Sequence, residues 1–111
     1  MKEMLAVQGA KTIVENCASI KKGEKVFIVT DYETVSSAFL IAKAAYALGA
    51  QVDIGIMEPR ELDGQEPTVM LAAAMKQADV VLTPVSKSLA HTTAMNEAVA
   101  GGTRALSLTA I

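Results

Sequence analysis

The sequence predicts an α/β fold: a three-layer, Rossmann-like or flavodoxin-like open parallel sheet of about four strands, in the order 2-1-3-4. Short apolar, β-branched runs alternate along the 111 residues with segments whose apolar residues recur at helical spacing. A hydrophobic content of 51% with only 4% aromatic residues indicates a single core of aliphatic and Met side chains. Strands separated by helices pair in parallel through right-handed crossovers, which gives the predicted strand order.

The first predicted elements are a helix from about Lys2 to Ser19, ended by Lys22-Gly23, and a strand over Val26–Val29. The strand is a short apolar run bounded by Gly23 and by Thr30-Asp31, which is typical of a strand buried on both faces. The apolar face of the helix is formed by residues at i, i+3, i+4 and i+7, namely Ala10, Ile13, Val14 and Cys17.

A second helix is predicted from Thr34 to Leu48, with Gly49 as its stop. Thr30 or Asp31 is expected to cap this helix, since Glu33 follows Thr30 at capping-box spacing.

Val52–Met57 alternates between apolar and other residues and is predicted to be the second strand, at an edge of the sheet. Glu58–Glu66 forms the long polar connection that follows, and Pro67 is expected to open a helix that runs to about Gln77.

The last third of the chain is again predicted to alternate between strand and helix. Val80–Leu82 is predicted as the third strand and Ala105–Leu108 as the fourth, with Gly101-Gly102 as the turn that ends the helix between them. That helix is apolar at Ala90, Ala94, Met95, Ala98 and Val99. The chain then stops on an apolar strand, so we expect it to be part of a larger protein.

Composition narrows the function classes. A net charge of −2 without a basic stripe argues against nucleic acid as a partner. No uncharged apolar run approaches the roughly 20 residues that span a bilayer, so no membrane partner is expected. Cys17 is the only cysteine, which fits a reducing, cytoplasmic location, and we expect it to be buried as a small hydrophobe. A mean hydropathy of +0.34 predicts apolar surface that a partner chain or another domain covers.

Ligands of such sheets bind outside the carboxyl ends of the strands, at the point where the strand order reverses. Here that point lies between strands one and three, at Thr30-Asp31-Tyr32 and Pro84–His91. The candidate ligand-binding residues are therefore Asp31, Lys87, Ser88, His91 and Thr92. Lys87 lies before a helix start, where backbone N–H groups favour an anion.

Nucleophilic catalysis, metal binding and phosphate binding fit the residues around His91 less well than a small-ligand site does. His91 could act as a base for a hydroxyl of Ser86, Ser88, Thr92 or Thr93, but no nucleophile elbow supports this, and such hydroxyls usually cap helices. A local hydrogen bond is the expected role of His91. A zinc site needs three or four ligands, which the sequence does not place nearby, so no metal or catalytic residue is predicted in this chain. No phosphate-binding glycine motif is present.

Several segments resemble the N-terminal part of the thermophilic metallo-aminopeptidases, the aminopeptidase T type often labelled leucyl aminopeptidase. The more distinctive motifs are Ser88-Leu89-Ala90-His91-Thr92 and Gly102-Thr103-Arg104. The remaining similarity to this family lies in Lys22 to Asp31, Ala45 to Gly49, Glu66-Pro67 and Ala78 to Val81.

Arg104 begins the fourth predicted strand. Its side chain is expected to pair with Glu97 or with a missing domain.

The resemblance implies that the paired zinc or cobalt ions of the parent enzyme are held by a C-terminal part that these residues do not match. This chain would then be a non-catalytic N-terminal domain that packs against the missing catalytic domain in a homo-oligomer. The related iron-dependent 2,5-dihydroxypyridine dioxygenases share the N-terminal pattern and are an alternative parent. A standalone domain that binds a small anion or serves in assembly is another alternative.

Overall fold

The structure, a computed structural model, describes residues 2–108, with side chains from Ala6 onwards. The helices are α1 (Lys2–Thr12, extended by a π-helical turn over Ile13–Cys17), α2 (Val35–Ala47), α3 (Val69–Met75) and α4 (Thr93–Ala100). The strands are β1 (Lys25–Asp31), β2 (Gln51–Met57), β3 (Val80–Thr83) and β4 (Arg104–Ser107). The predicted ending at Ile111 lies outside the described residues.

All four strands pair in parallel in the order β2-β1-β3-β4, as the alternation of elements predicts. The predicted α/β fold with an open parallel sheet is therefore confirmed, and so is the edge position of β2. The order reverses between β1 and β3, which places the carboxyl ends of these two strands side by side.

The central strands are buried on both faces because helices cover the sheet from two sides. On one face Val26, Ile28 and Leu82 pack with residues of α1 and α2 such as Val14 and Ile41. On the other face the alternating residues of the same strands pack against α3 and α4, through Phe27, Val29, Val81, Met75 and Met95. β1 and β3, whose carboxyl ends form the switch point, are therefore packed from both sides.

The end of α1 differs from the prediction. Its last turn is π-helical, with the Ala18 N–H donating to the Ile13 carbonyl over 2.8 Å. The wider turn moves the inward position on by one residue, so Ala18 is buried and Cys17 is exposed. The expectation of a buried Cys17 is therefore wrong.

Two helix starts also differ. Thr34, rather than Thr30 or Asp31, occupies the N-cap position of α2, and its side chain makes no cap hydrogen bond. Helix α3 begins two residues after Pro67, because the Thr68 hydroxyl accepts a hydrogen bond from the Leu71 N–H over 3.4 Å. The predicted stop of α2 is confirmed, since Gly49 adopts φ +86°, which favours glycine.

Arg104 opens β4 and pairs with Glu24, not with Glu97. Its guanidinium makes two 2.8 Å hydrogen bonds to the Glu24 carboxylate and also donates to the carbonyls of Ala18 and Ser19. Glu97 instead pairs with Lys76 at the surface. Arg104 therefore ties the end of α1 and the entry to β1 to the far strand of the sheet. Within residues 2–108, no helix is long and apolar enough to cross a membrane.

Candidate functional site at the switch point

Asp31 is the centre of the switch point. As the last residue of β1 it is 1% exposed. One carboxylate oxygen accepts hydrogen bonds from the N–H and the hydroxyl of Ser86, both 2.8 Å long. The other accepts from the Glu33 N–H over 2.9 Å, and the Thr34 hydroxyl oxygen lies 3.2 Å from it. Ser86 and Glu33 thus supply three donors to the carboxylate, and the Thr34 hydroxyl, whose single proton also faces a carbonyl oxygen, is a longer fourth contact.

Thr34 extends this network across the crevice. Its hydroxyl oxygen lies 2.7 Å from the carbonyl oxygen of Pro84, in the loop that follows β3. It also lies 2.8 Å from the hydroxyl oxygen of Thr30, which is fully buried. Because the Pro84 carbonyl can only accept, the Thr34 side chain donates to the backbone of the β3–α4 loop and so joins it to the β1–α2 loop.

The charge of Asp31 is stabilised by these contacts. Burial by itself raises the pKa of its carboxyl, but the hydrogen bonds from Ser86, Glu33 and Thr34 outweigh burial and leave the pKa below its ordinary value. Asp31 is consequently ionised at neutral pH, and it acts as an acceptor for its neighbours.

The polar connection between β2 and α3 folds over the β3–α4 loop. The Asp63 carboxylate accepts the Ser88 N–H over 2.8 Å, and the Gly64 N–H donates to the Ser88 carbonyl over 2.9 Å. The two carboxylate oxygens of Glu66 accept the N–H groups of Thr93 and Ala94, over 2.7 and 3.1 Å. The first turn of α4 is therefore already occupied by a carboxylate of this chain.

The predicted candidates fall into different environments. Thr92 is buried and caps α4: its hydroxyl donates to the Leu89 carbonyl over 2.7 Å and accepts from the Met95 N–H over 3.2 Å. The Ser88 hydroxyl accepts the Ala90 N–H over 3.1 Å. The capping role predicted for these hydroxyls is confirmed at Thr92.

Lys87 and His91 are exposed on the same loop. His91 makes no hydrogen bond within residues 2–108, so the predicted local bond is not formed there. Ser86 points to Asp31, and no Ser–His pair is assembled in this part of the chain. The ligand-binding role of the five candidates stays a prediction. In the same residues, no group of three or more His, Cys, Asp or Glu side chains is placed to hold a metal ion.

Sequence reasoning missed the roles of Ser86, Asp63 and Glu66. Each bonds to a residue 25 to 55 positions away, so no local spacing reveals the pair. The polar character of the connection that carries Asp63 and Glu66 was the one available signal.

Away from the switch point, concave apolar surface includes the groove between α1 and α2. Three adjoining cavities of about 190, 350 and 380 Å³ share Leu40, and Ala6, Val7 and Lys43 each line two of them. Phe39 and Tyr46 on α2 are exposed by 49% and 76% of their surfaces.

The sequence matches no protein-family model, and it matches no curated protein. Among solved structures, the fold is similar to that of 2,5-dihydroxypyridine dioxygenase from Pseudomonas putida KT2440, with a TM-score of 0.74 and 15% sequence identity. The match covers 94% of this chain and 33% of the dioxygenase chain, so this chain spans about a third of the length of that enzyme.

Proposed function

We propose that this chain is a non-catalytic α/β domain of a larger metal-dependent enzyme, against whose catalytic part it packs. The observation that carries the proposal is the hydrogen bonding of the carboxylates at and beside the switch point. The carboxylate of Asp31 receives three hydrogen bonds from Ser86 and Glu33 of its own domain, and Glu66 occupies the first turn of α4. These contacts join the β1–α2, β2–α3 and β3–α4 loops to one another.

Exposed apolar side chains support a role in packing. Such residues lie on three separate elements, α2, β2 and α3, and together they provide surface that a further domain would cover. They include Phe39, Tyr46, Ile56, Val69 and Met70, of which Val69 and Met70 are more than four-fifths exposed.

Two parents are consistent with the proposal. The sequence motifs resemble metallo-aminopeptidases, in which case the whole enzyme hydrolyses the N-terminal residue of a peptide with zinc or cobalt. The fold is similar to one third of a 2,5-dihydroxypyridine dioxygenase, in which case the whole enzyme opens an aromatic ring with iron. This domain would contribute no metal ligand in either case.

The test compares the recombinant 111-residue chain with the assembly that an antibody against it isolates from the source cells. Both are assayed for divalent metal content, for hydrolysis of an aminoacyl chromogenic substrate with Zn²⁺ or Co²⁺, and for cleavage of 2,5-dihydroxypyridine with Fe²⁺. We expect metal and one activity in the assembly, and neither in the chain alone. Stoichiometric metal and turnover in the isolated chain would contradict the proposal.

A standalone anion-binding domain is the competing function. It requires saturable binding of a small anion by the isolated chain, with loss of binding in His91→Ala. Lys87→Ala on the same exposed loop is the matched second variant, because neither side chain takes part in the Asp31 network.

A further inference from the structure

The outer edge of β2 is a free edge of the described sheet. Among the described strands, β2 pairs with β1 alone, and its first residue, Gln51, donates its N–H to the Glu24 carbonyl over 2.8 Å. Because successive residues of a strand point their backbone N–H and C=O groups to opposite sides, those of Val52, Ile54 and Ile56 point away from β1. These three residues form a row of donors and acceptors that can pair with another strand.

Apolar surface continues from this edge onto α2. The side chains of Val52 and Ile54 pack under α2 but are only half-buried, and Ile56, on the same face of the strand, is 45% exposed. Tyr46 of α2 is 76% exposed. It points roughly opposite to Ala44, which lines the groove towards α1, so Tyr46 lies on the side of α2 that is away from α1.

The sequence of β2 is suited to pairing with itself. In an antiparallel pair with a two-fold axis at Ile54, the two Ile54 residues lie opposite each other, and Val52 of each copy lies opposite Ile56 of the other. Since the backbone groups of all three residues point outward, each opposed pair can exchange two hydrogen bonds. The opposed side chains are apolar and lie on the face that α2 covers, and such cross-strand pairs stabilise a sheet.

Other registers that keep these hydrogen bonds place charges less favourably. With the axis at Ile54, Asp53 lies opposite Gly55. An axis at Asp53 would set two carboxylates directly opposite each other, and an axis at Gly55 would set Glu58 opposite Val52. The axis at Ile54 is therefore the favoured register.

Charges at the two ends of β2 are complementary in this arrangement. At the entry to the strand, the Lys22 side chain packs against Gly49, and Glu58 follows the last residue of the strand. The antiparallel register brings Glu58 of one copy opposite Ala50 of the other, and thus beside its Lys22. Both side chains are exposed, and neither forms an ion pair among residues 6–108. The two-fold axis makes this contact twice.

We infer that β2 pairs with β2 of a second copy of this chain, antiparallel about Ile54, so that two four-stranded sheets become one of eight strands. The inference goes beyond the proposed function, because it assigns Ile56 and Tyr46 to an interface between copies. Val69 and Met70 on α3 remain available to the catalytic part of the larger enzyme.

A charge swap at exposed positions is the sharpest test. Sedimentation equilibrium of the isolated 111-residue chain should give a dimer of twice 11.6 kDa. Lys22→Glu and Glu58→Lys should each raise the Kd of the dimer roughly tenfold, because each variant turns two attractive contacts into repulsive ones. The double variant should return the Kd to the native value.

Lys43→Glu is the matched control. It makes the same change of charge at an exposed residue of α2 that lines the groove towards α1, so it should leave the Kd unchanged. Equal effects of Lys22→Glu and Lys43→Glu, or a double variant as weak as the single ones, would overturn the inference.

Amide hydrogen exchange locates the interface independently. The amides of Val52, Ile54 and Ile56 should exchange at least roughly tenfold more slowly when the protein concentration is raised and the dimer forms. The Gly55 amide, which points towards β1, should change much less. A dimer in which the three outward amides keep their monomer rates would use another surface, and the inference would be overturned.

The failure of this inference differs from the failure of the proposed function. An isolated chain that stays monomeric at every concentration reached, beside a native assembly with a metal-bearing catalytic part, would overturn the inference alone. A native homodimer of 11.6 kDa chains that lacks such a part and responds to the charge swap would overturn the proposed function alone.

Discussion

Asp31 and Ser86 are joined by two 2.8 Å hydrogen bonds, one from the backbone N–H and one from the hydroxyl of Ser86 to the same carboxylate oxygen. The pair spans 55 residues of sequence and connects the loops that follow β1 and β3. A buried carboxylate that accepts several hydrogen bonds makes strong and directional contacts with its donors. The switch point is therefore held together by a charge that the domain itself satisfies.

Replacing the charge at this joint should destabilise the fold. In Asp31→Asn one acceptor becomes an NH₂ donor, which leaves donors of Ser86 or of the β1–α2 loop without a partner. We expect a loss of about 1–3 kcal/mol in the free energy of unfolding, measured by urea denaturation. Asp63→Asn, at an exposed carboxylate that keeps an acceptor for the Ser88 N–H, should cost at most about 0.5 kcal/mol. Equal losses in the two variants would contradict this account.

Acid should destabilise the fold by protonating two carboxyl groups, those of Asp31 and Glu24. The pKa of Asp31 is lowered in the fold, and the hydrogen bonds from Arg104 lower the pKa of Glu24 from 4.5 to about 2. Since the folded protein binds these protons more weakly than the unfolded chain does, the stability they contribute is complete above about pH 4.5 and is lost as the pH falls towards 2.

The free energy of unfolding, measured between pH 7 and pH 2.5, tests whether stability falls with falling pH as predicted. Asp31→Asn and Glu24→Gln should each flatten the dependence on pH in the acid range. An unchanged slope in both variants would show that other groups govern acid unfolding.

The pairing of Arg104 with Glu24 predicts a difference between arginine and lysine. Arg104→Lys keeps the charge but loses the two-pronged contact with the carboxylate and the bonds to the carbonyls of Ala18 and Ser19. The expected loss is about 0.5–1 kcal/mol, because the guanidinium is nearly half exposed. Lys76→Arg, in the exposed pair with Glu97, is the control and should change stability by less than about 0.5 kcal/mol.

The position of the Glu66 carboxylate at the first turn of α4 predicts that the native chain does not bind an anion there. Because its carboxylate already accepts the N–H groups of Thr93 and Ala94, millimolar inorganic phosphate should not raise the melting temperature of the native chain. Glu66→Ala should be less stable and should respond to phosphate, since the first turn of α4 is then open to an anion. A saturable response of the native chain that His91→Ala abolishes would favour the anion-binding function instead.

The strand order and both faces of the core could be predicted because they depend on local patterns. Apolar runs such as Val26–Val29 alternate with helical segments, so the strands must pair in parallel. Because the crossovers between parallel strands are right-handed, only a few strand orders are possible, and the observed order is one of them. The stop at Gly49 follows from a single residue type.

Other features depend on tertiary contacts and could not be predicted in this way. The π-helical turn that exposes Cys17 leaves no signature in the apolar spacing, which fits an ordinary helix equally well. The partners of Arg104 and Asp31 lie 80 and 55 residues away, and opposite charges or hydroxyls are available at many positions. The capping role of Thr92 could therefore be predicted from its position before a helix, whereas the partners of Asp31 and Arg104 could not.

The intact mass of the native gene product in its source cells, with its partners preserved, tests the central claim most directly. The account predicts a polypeptide well above the 11.6 kDa of this chain, or a stable complex with a second chain that carries the catalytic metal. A free protein of 11.6 kDa without such a partner would contradict it, and the loop around His91 would then be the first place to look for a ligand.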